Sequence, residues 1–456
     1  MDMRFSFSPE MVSDDARRLT SCIIGAEVPT GNLAHEAVSA MEMHLLQRGW
    51  PVGEVLGALP DVQKGLGLGR PTCREAMIIL EARGLLDVRR GPGGGLFVAA
   101  PTAEDVVGAM LMYLTISGAS PDCIQEFRLL VWRMVVEAAI ERSVGAEPSG
   151  ADASEWGFAV DLARRIGNTT MALAAQIAEM LVRTCEGRPA PAHDALLERA
   201  LKARDLRRAF SRLEDLANPM DLAAPLVALE AMERSFAWSG RKSAMALAAR
   251  MTREMVHRPE KREAEWETAE RLGYSDAVVR QARRILQDFG LVRCQRGRKG
   301  ALWGAPAGPG GVIRLLAPCF IASGMTTSDN TEAANFLASN APRLAAERTA
   351  QCGRAPTKVL GSFANSAEPV DLFRIENLLL ELAGNPLLSI MTRSLGLANL
   401  LSLEARICLQ SRVDIVAFNQ RILRAIEAGD AETAAPLARA KGEAIQRTEG
   451  SYLQFA

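Results

Sequence analysis

Residues 69–101 read GRPTCREAMIILEARGLLDVRRGPGGGLFVAAP. Pro71 suits the first position of a helix, where its missing N–H costs nothing. Cys73, Ala76, Met77 and Leu80 then fall at i, i+3, i+4 and i+7, one buried stripe. The helix is expected to run from Pro71 to about Arg83 and to stop at Gly84. LLDVRRG and LFVAA, on either side of GPGGG, read as two short strands of a hairpin. Upstream, HEAVSAMEMHLLQRG (35–49) has helical spacing and ends at a glycine, and a second short helix is expected near 58–65. Three helices and a two-stranded wing make a winged helix-turn-helix.

Arg70, Thr72 and Arg74 stand at the front of the third helix, off the apolar stripe. A helix entering the major groove by its N-terminus brings such residues to base edges. Arginine there bonds guanine O6 and N7 through two N–H groups, and threonine adds a hydrogen bond or a methyl contact. The wing carries Arg89 and Arg90, and its glycine-rich tip lets backbone approach phosphates, which set the register while the helix reads sequence. The bland alternative is a solvated helix face. GLGLG (65–69) is no nucleotide loop, because no apolar strand precedes it, and GPGGG lacks the Lys-Ser/Thr of a P-loop.

The 456-residue chain is 48% hydrophobic and 23% charged, an ordinary globular balance with room for several domains. A net charge of −1 excludes a wholly basic nucleic-acid coat, so any DNA-binding surface is a local patch. Aromatics are only 5%, while Ala and Leu abound, which favours helices. None of the eight cysteines forms a Cys-x-x-Cys pair. No charged n-region with an apolar h-region opens the chain, and no apolar run reaches the ~18 residues of a membrane span. A reducing, cytoplasmic setting and no membrane are expected.

The chain repeats itself. REAMIILEARGLLDVRRGPGGG (74–95) resembles RQARRILQDFGLVRCQRGRKG (280–300), pairing Arg74 with Arg280, Leu80 with Leu286, Gly84 with Gly290 and Leu85 with Leu291 at a constant offset of 206. TAEDVVGAMLMYLTISGAS (102–120) resembles GPGGVIRLLAPCFIASGMT (308–326). LARRIGNTTMALAAQIAEML (162–181) resembles LLLELAGNPLLSIMTRSLGL (378–397), aligned on Gly167-Asn168 and Gly384-Asn385 at an offset of 217. The stretches 126–143, 158–185 and 418–445 are helical by spacing. The expected fold is mainly α, with two winged modules and two all-α helical bundles. The divisions are an N-terminal segment (1–34), a first winged helix (35–101), a first helical domain (102–225), a divergent second winged helix (235–305) and a second helical domain (306–456).

The string RPT-REA---LEA-GL---RRG-GGG-FV within residues 53–98 resembles the DNA-binding domain of GntR-type bacterial transcription regulators, in their FadR-like subfamily. The GN-containing helices and RILRAIEAGDAETAA (421–435) resemble that subfamily's helical ligand-binding domain, called FCD. The resemblance covers nearly all of the chain, as two regulators in tandem. It implies contacts to base or phosphate from Arg70, Thr72 and Arg74, with Gly93 and Gly94 in the wing. Pro60 stands where the family usually has a polar or basic residue. In the second copy Asp276 replaces Arg70 and would repel phosphate, and Arg283 occupies the buried slot of Met77, so that helix must rotate or repack. Arg280, Arg293, Arg296, Arg298 and Lys299 still supply positive charge to a weaker second DNA contact.

Many FCD domains hold a divalent metal through one Asp and three His. Here the second copy puts Leu372, Glu376, Asn419 and Lys441 at those positions. The first puts Glu155 and Ala159 at the first pair, His193 or Asp194 near the third and Leu216 near the fourth. With four histidines in the chain (35, 44, 193 and 257), no such metal and no cofactor are expected. Arg374 and Lys441, with Glu376 and Asn419, would bind a small organic acid, or Glu376 would pair with Lys441 and fill the pocket, or the pocket would be collapsed. Glu155 and His193 read as an ordinary hydrogen bond rather than a ligand pair.

These observations point to a transcription regulator that binds double-stranded DNA through its first winged helix. It would be a pseudo-dimer within one chain or a homodimer of chains. Two other classes are an interaction protein with degenerate DNA-binding modules and a ligand-binding helical protein without DNA binding. No Ser-His-Asp or Cys-His grouping suggests an enzyme.

Overall fold

The structure is a computed structural model that describes residues 14–25, 33–89, 91, 94–144, 155–217, 222–238, 243–258, 262–294, 302–304, 308–352, 366, 368–402 and 409–452. It is mainly helical with two small sheets. Among the described residues no helix is long and apolar enough to cross a membrane.

The first module packs α2 (Leu33–Gln47), α3 (Leu59–Leu66) and α4 (Arg70–Ala82). The stripe of α4 is buried as its spacing predicts: Cys73, Ala76, Met77, Ile79 and Leu80 meet Val38, Met41 and Leu45 of α2. Gly84, at φ 72°, carries the chain out of α4 in a left-handed conformation. β2 (Leu86–Arg89) and β3 (Gly95–Val98) pair antiparallel with Leu86 opposite Val98 and Arg89 opposite Gly95. The wing has a third strand that the two-strand reading missed. β1 (Val55–Gly57) pairs with β3 on its free edge, giving the order β1-β3-β2. Three residues are too few for alternation to show in the sequence.

The second module consists of α12 (Ser243–His257), α13 (Glu265–Leu272), α14 (Asp276–Asp288) and the hairpin β4 (Val292–Cys294) with β5 (Leu302–Gly304). The bounds of α13 and α14 differ from those of α3 and α4 by the same 206. Arg283 stays in its slot, 5% exposed, at the edge of a core of Val279, Ala282 and Leu286, 4.0 Å from Glu265. The helix therefore neither rotates nor expels it.

Each module continues into helices. The first unit has α5 (Ala103–Ser117), α6 (Asp122–Glu141), α7 (Phe158–Ile166), α8 (Thr169–Thr184), α9 (Ala195–Lys202) and α10 (Leu206–Ala217). The second has α15 (Gly310–Ala322), α16 (Thr327–Cys352), α17 (Pro369–Leu382), α18 (Pro386–Ser402), α19 (Leu409–Glu427) and α20 (Ala431–Tyr452). The stretches read as continuous break where capping chemistry demands it: α7 gives way to α8 at Gly167-Asn168, and α19 to α20 around Gly429. α11 (Pro225–Trp238) crosses the expected division between 225 and 235 as one helix packed on α5 and α12. The N-terminal segment also holds a helix, α1 (Asp14–Ile24), docked on α17 and α18, where Arg393 Nε donates to Ile23 O at 2.6 Å.

The two units meet through reciprocal contacts. Asn168 Oδ1 caps α8 by accepting from Met171 N, which leaves its Nδ2 to donate to Glu332 Oε2 at 2.9 Å and Asp329 O at 3.2 Å. Asn385 Oδ1 caps α18 by accepting from Leu388 N, and its Nδ2 donates to Glu126 Oε2 at 2.6 Å and Cys123 O at 3.0 Å. Arg142 grips Glu332 at 2.8 Å, and Arg348 reaches Glu126 at 3.1 Å. Residue i of one unit meets j of the other, and the counterpart of j meets that of i, the pattern of a two-fold interface.

α15 approaches the end of α14 closely enough to need a glycine. A Cβ on Gly311 would lie 2.3 Å from Phe289 Cα and 2.9 Å from Asp288 O, both backbone atoms that cannot swing aside. Gly311→Ala is expected to cost about 1–3 kcal/mol or more, read as a lowered denaturation midpoint.

Candidate nucleic-acid interface

Gly69 precedes α4 with extended backbone, and among the described residues no side chain caps the first N–H groups of the helix, which have no partner within it. Arg70 and Arg74 are exposed beside that end, with Thr72 half-buried between them. Neither arginine makes an ion pair with a described residue. The wing packs on α4 through β2. Arg89 is 58% exposed on β2, its guanidinium stacked 4.0 Å over Phe97 and bonded to Asp87 at 3.0 Å. Gly94 is exposed at the tip. Arg90 and Gly93 lie outside the described residues, as do Arg296, Arg298 and Lys299 of the second wing.

The corresponding end of α14 is built differently. Ser275 caps it by accepting from Val278 N, and the exposed Asp276 follows in the place of Arg70. A carboxylate suits a helix N-terminus but not a phosphate. Arg280, in the place of Arg74, is bonded to Glu265 at 3.2 Å. Arg284 is bonded at 3.0 Å to Glu75 on the flank of α4, so the two helices lie against each other.

Behind them a buried cluster ties the modules together. Arg83 pairs with Glu42 within the first unit, and Arg314 with Asp288 at 2.9 Å within the second. Arg83 also reaches Asp288 at 3.2 Å, Arg314 reaches Glu42 at 3.2 Å, and His35 Nδ1 lies 3.5 Å from Asp288. Burial alone would raise the Asp288 carboxyl and lower the Arg314 guanidinium. Their mutual attraction, with Arg83 and Glu42 beside them, reverses both, so the acid is held well below its usual range and the base above. A depressed carboxylate contributes stability that is present above its unfolded value and disappears as pH falls through that range towards the folded one. The melting temperature is expected to decline once the pH drops below about 4. Asp288→Asn, already less stable at neutral pH, should show a smaller acid-induced decline.

The residues weighed as an effector site do not all converge. Lys441 Nζ donates to Glu376 and, at 2.9 Å, to Asn419 Oδ1, while Leu372 is 7% exposed nearby in the core. Arg374 is separate, 52% exposed and bonded to Asp371 at 2.9 Å. This donor set does not fit a divalent cation, because an ammonium already satisfies its carboxylate and amide oxygens. In the first unit Glu155 and His193 are apart: Glu155 O accepts from Arg183, and His193 lies 3.5 Å from Glu198. Asp194 caps α9 and holds Arg212 at 2.7 Å. A cavity of about 250 Å³ opens between the units, lined in part by Met134, Glu137, Glu141, Phe336 and Glu443. Its carboxylates, against Arg439 alone, disfavour an anion. Burial pushes the thiols of Cys123, Cys185 and Cys319 up to about 12, which leaves them unreactive.

No family model matches the chain, and no curated protein matches it. A solved structure described as Streptococcus agalactiae GntR is similar at 18% identity and a TM-score of 0.32, over 45% of this chain and 99% of that one. The likeness is too slight to build on.

Proposed function

We propose that the chain is a sequence-specific, DNA-binding transcription regulator made of two GntR-type units in tandem. Each unit is a winged helix followed by an FCD-like helical domain, divided as 35–101 and 102–225, then 235–305 and 306–456. Double-stranded DNA is the partner, the setting is cytoplasmic, and no catalysis is assigned. One observation carries the reading. Two exposed guanidinium groups, Arg70 and Arg74, flank the front of a helix whose other face is core, and the wing that follows this helix carries an arginine stacked on Phe97. The reciprocal contacts of Asn168 and Asn385 support the tandem relationship.

The second module serves as a brace. Its recognition helix directs Arg280 and Arg284 to Glu265 and Glu75 and presents Asp276 to the duplex. DNA is therefore read by one helix, and the site is a single, unrepeated motif. Selection of bound duplexes from a random pool tests this. An enriched motif without inverted symmetry is expected. A palindrome would mean that first modules of two chains read bases side by side, and no enrichment even at low salt would remove DNA reading altogether. In the second helical domain the charge of Lys441 is taken up by Glu376 and Asn419, which favours a pocket filled by its own side chains over one regulated by an organic acid.

A further inference from the structure

The belt around Asn168 and Asn385 cannot tell one pairing of units from another. Each unit offers the same groups there, so two first units from separate chains would match as well as a first with a second. The buried cluster at α2, α4, α14 and α15 differs in this respect. At the offset of 206, Arg83 corresponds to Phe289, Glu42 to Ala248, Asp288 to Ala82 and Arg314 to Gly108. Each charge belongs to one unit only, and its counterpart in the other unit is apolar or small.

We infer that this cluster makes the two halves of one chain each other's specific partners, so that the protein is a monomer whose two units pair in cis. The inference rests on the proposed tandem relationship and not on DNA binding. A pair of first units would set Ala82 where Arg83 finds Asp288 and Gly108 where Glu42 finds Arg314. Both buried side chains would lose their cross-unit contacts, and a void would replace the Arg314 side chain. A pair of second units would put Phe289 opposite Asp288 and Ala248 opposite Arg314; the two would keep each other at 2.9 Å but lose Arg83 and Glu42, although they are only 0% and 13% exposed. A mismatched pairing keeps only the pair within each unit and sets apolar or small groups against buried charges that have lost their second partners, so it is selected against. Only the first-with-second arrangement joins Arg83 to Asp288 and Arg314 to Glu42 together. The peptide link then holds the correct partner at high effective concentration.

Sedimentation equilibrium of the full chain over a hundredfold range of concentration tests the inference without DNA. A one-chain mass throughout is expected, and a two-chain mass at any point in the range overturns it. A double variant, Asp288→Ala with Arg314→Gly, gives the second unit the residues that the first has at those places. Amide exchange in α4 and α14 should quicken at least tenfold while α6 and α8 stay protected. Unchanged exchange in α4 and α14 would also overturn the inference. Should the double variant fail to fold, Asp288→Asn, of nearly equal volume, takes its place with the same readout. Failure of these results leaves the DNA reading by Arg70 and Arg74 standing, and loss of DNA binding leaves the cis pairing standing.

Discussion

Arg70→Ala together with Arg74→Ala is expected to abolish specific DNA binding and leave the fold untouched. Both side chains are exposed and have no described ion-pair partner, so the native state loses almost nothing; surface changes of this kind stay within about 0.5 kcal/mol. In a complex each guanidinium that grips a base edge contributes about 1–3 kcal/mol of discrimination. Losing both therefore weakens binding by roughly 30-fold to 10⁴-fold. A cation on phosphate also releases counterions, so the slope of log K against log salt should become shallower by about two if both touch the backbone. A salt titration on the selected duplex separates the two contributions: a changed slope reports phosphate contact, and a lost preference over random duplex reports base contact. Unaltered affinity in the double variant would dismiss α4 as the reading element.

Glu179→Ala should be the most destabilising single change in the first helical unit. Glu179 is fully buried and accepts four hydrogen bonds: from Arg128 Nε at 2.8 Å and its terminal nitrogen at 2.9 Å, from Trp132 Nε1 at 2.9 Å and from Ala190 N at 3.1 Å. Arg128 is 1% exposed and also lies 4.2 Å over the Trp132 ring. Burial pulls its guanidinium below the ordinary range, and Glu179 opposes that pull. Truncation leaves an unpaired cation in the core, which costs about 3–5 kcal/mol. Replacing both members, Arg128→Met with Glu179→Leu, removes the orphaned cation and should recover part of the loss, although Trp132 Nε1 and Ala190 N still lack their acceptor. Urea denaturation of the three proteins reads both outcomes; equal losses in the single and double variants would contradict the pairing argument.

The first module was largely legible from residues 69–101. A stripe at i, i+3, i+4 and i+7 bounded by Pro71 and Gly84 has few ways to fold, and β3, which follows, alternates in burial. The offset of 206 between similar stretches was legible too, and α13 and α14 begin and end at that offset from α3 and α4, with Asp276 in the place of Arg70. What escaped was short or remote. β1 is three residues long, and α1 reveals its purpose only through α17 and α18, more than 300 positions away. Arg374 was grouped with Lys441 by its charge, but it turns to Asp371 one helical turn behind it.

Periodicity tells a residue which face of its element is covered, because that depends on neighbours three or four positions away. It therefore determined the helices, the hairpin wing and the charged front of α4. It says nothing of which covered face meets which. Glu42 and Arg314 are 272 residues apart, and in the sequence each reads as an ordinary charge on a helix. Only when the chain closes on itself do they share one dry space with Arg83 and Asp288, where desolvation makes every partner obligatory. The pairing of the halves, and the ion pairs that Arg280 and Arg284 of α14 make with Glu265 and Glu75, were decided by tertiary structure alone.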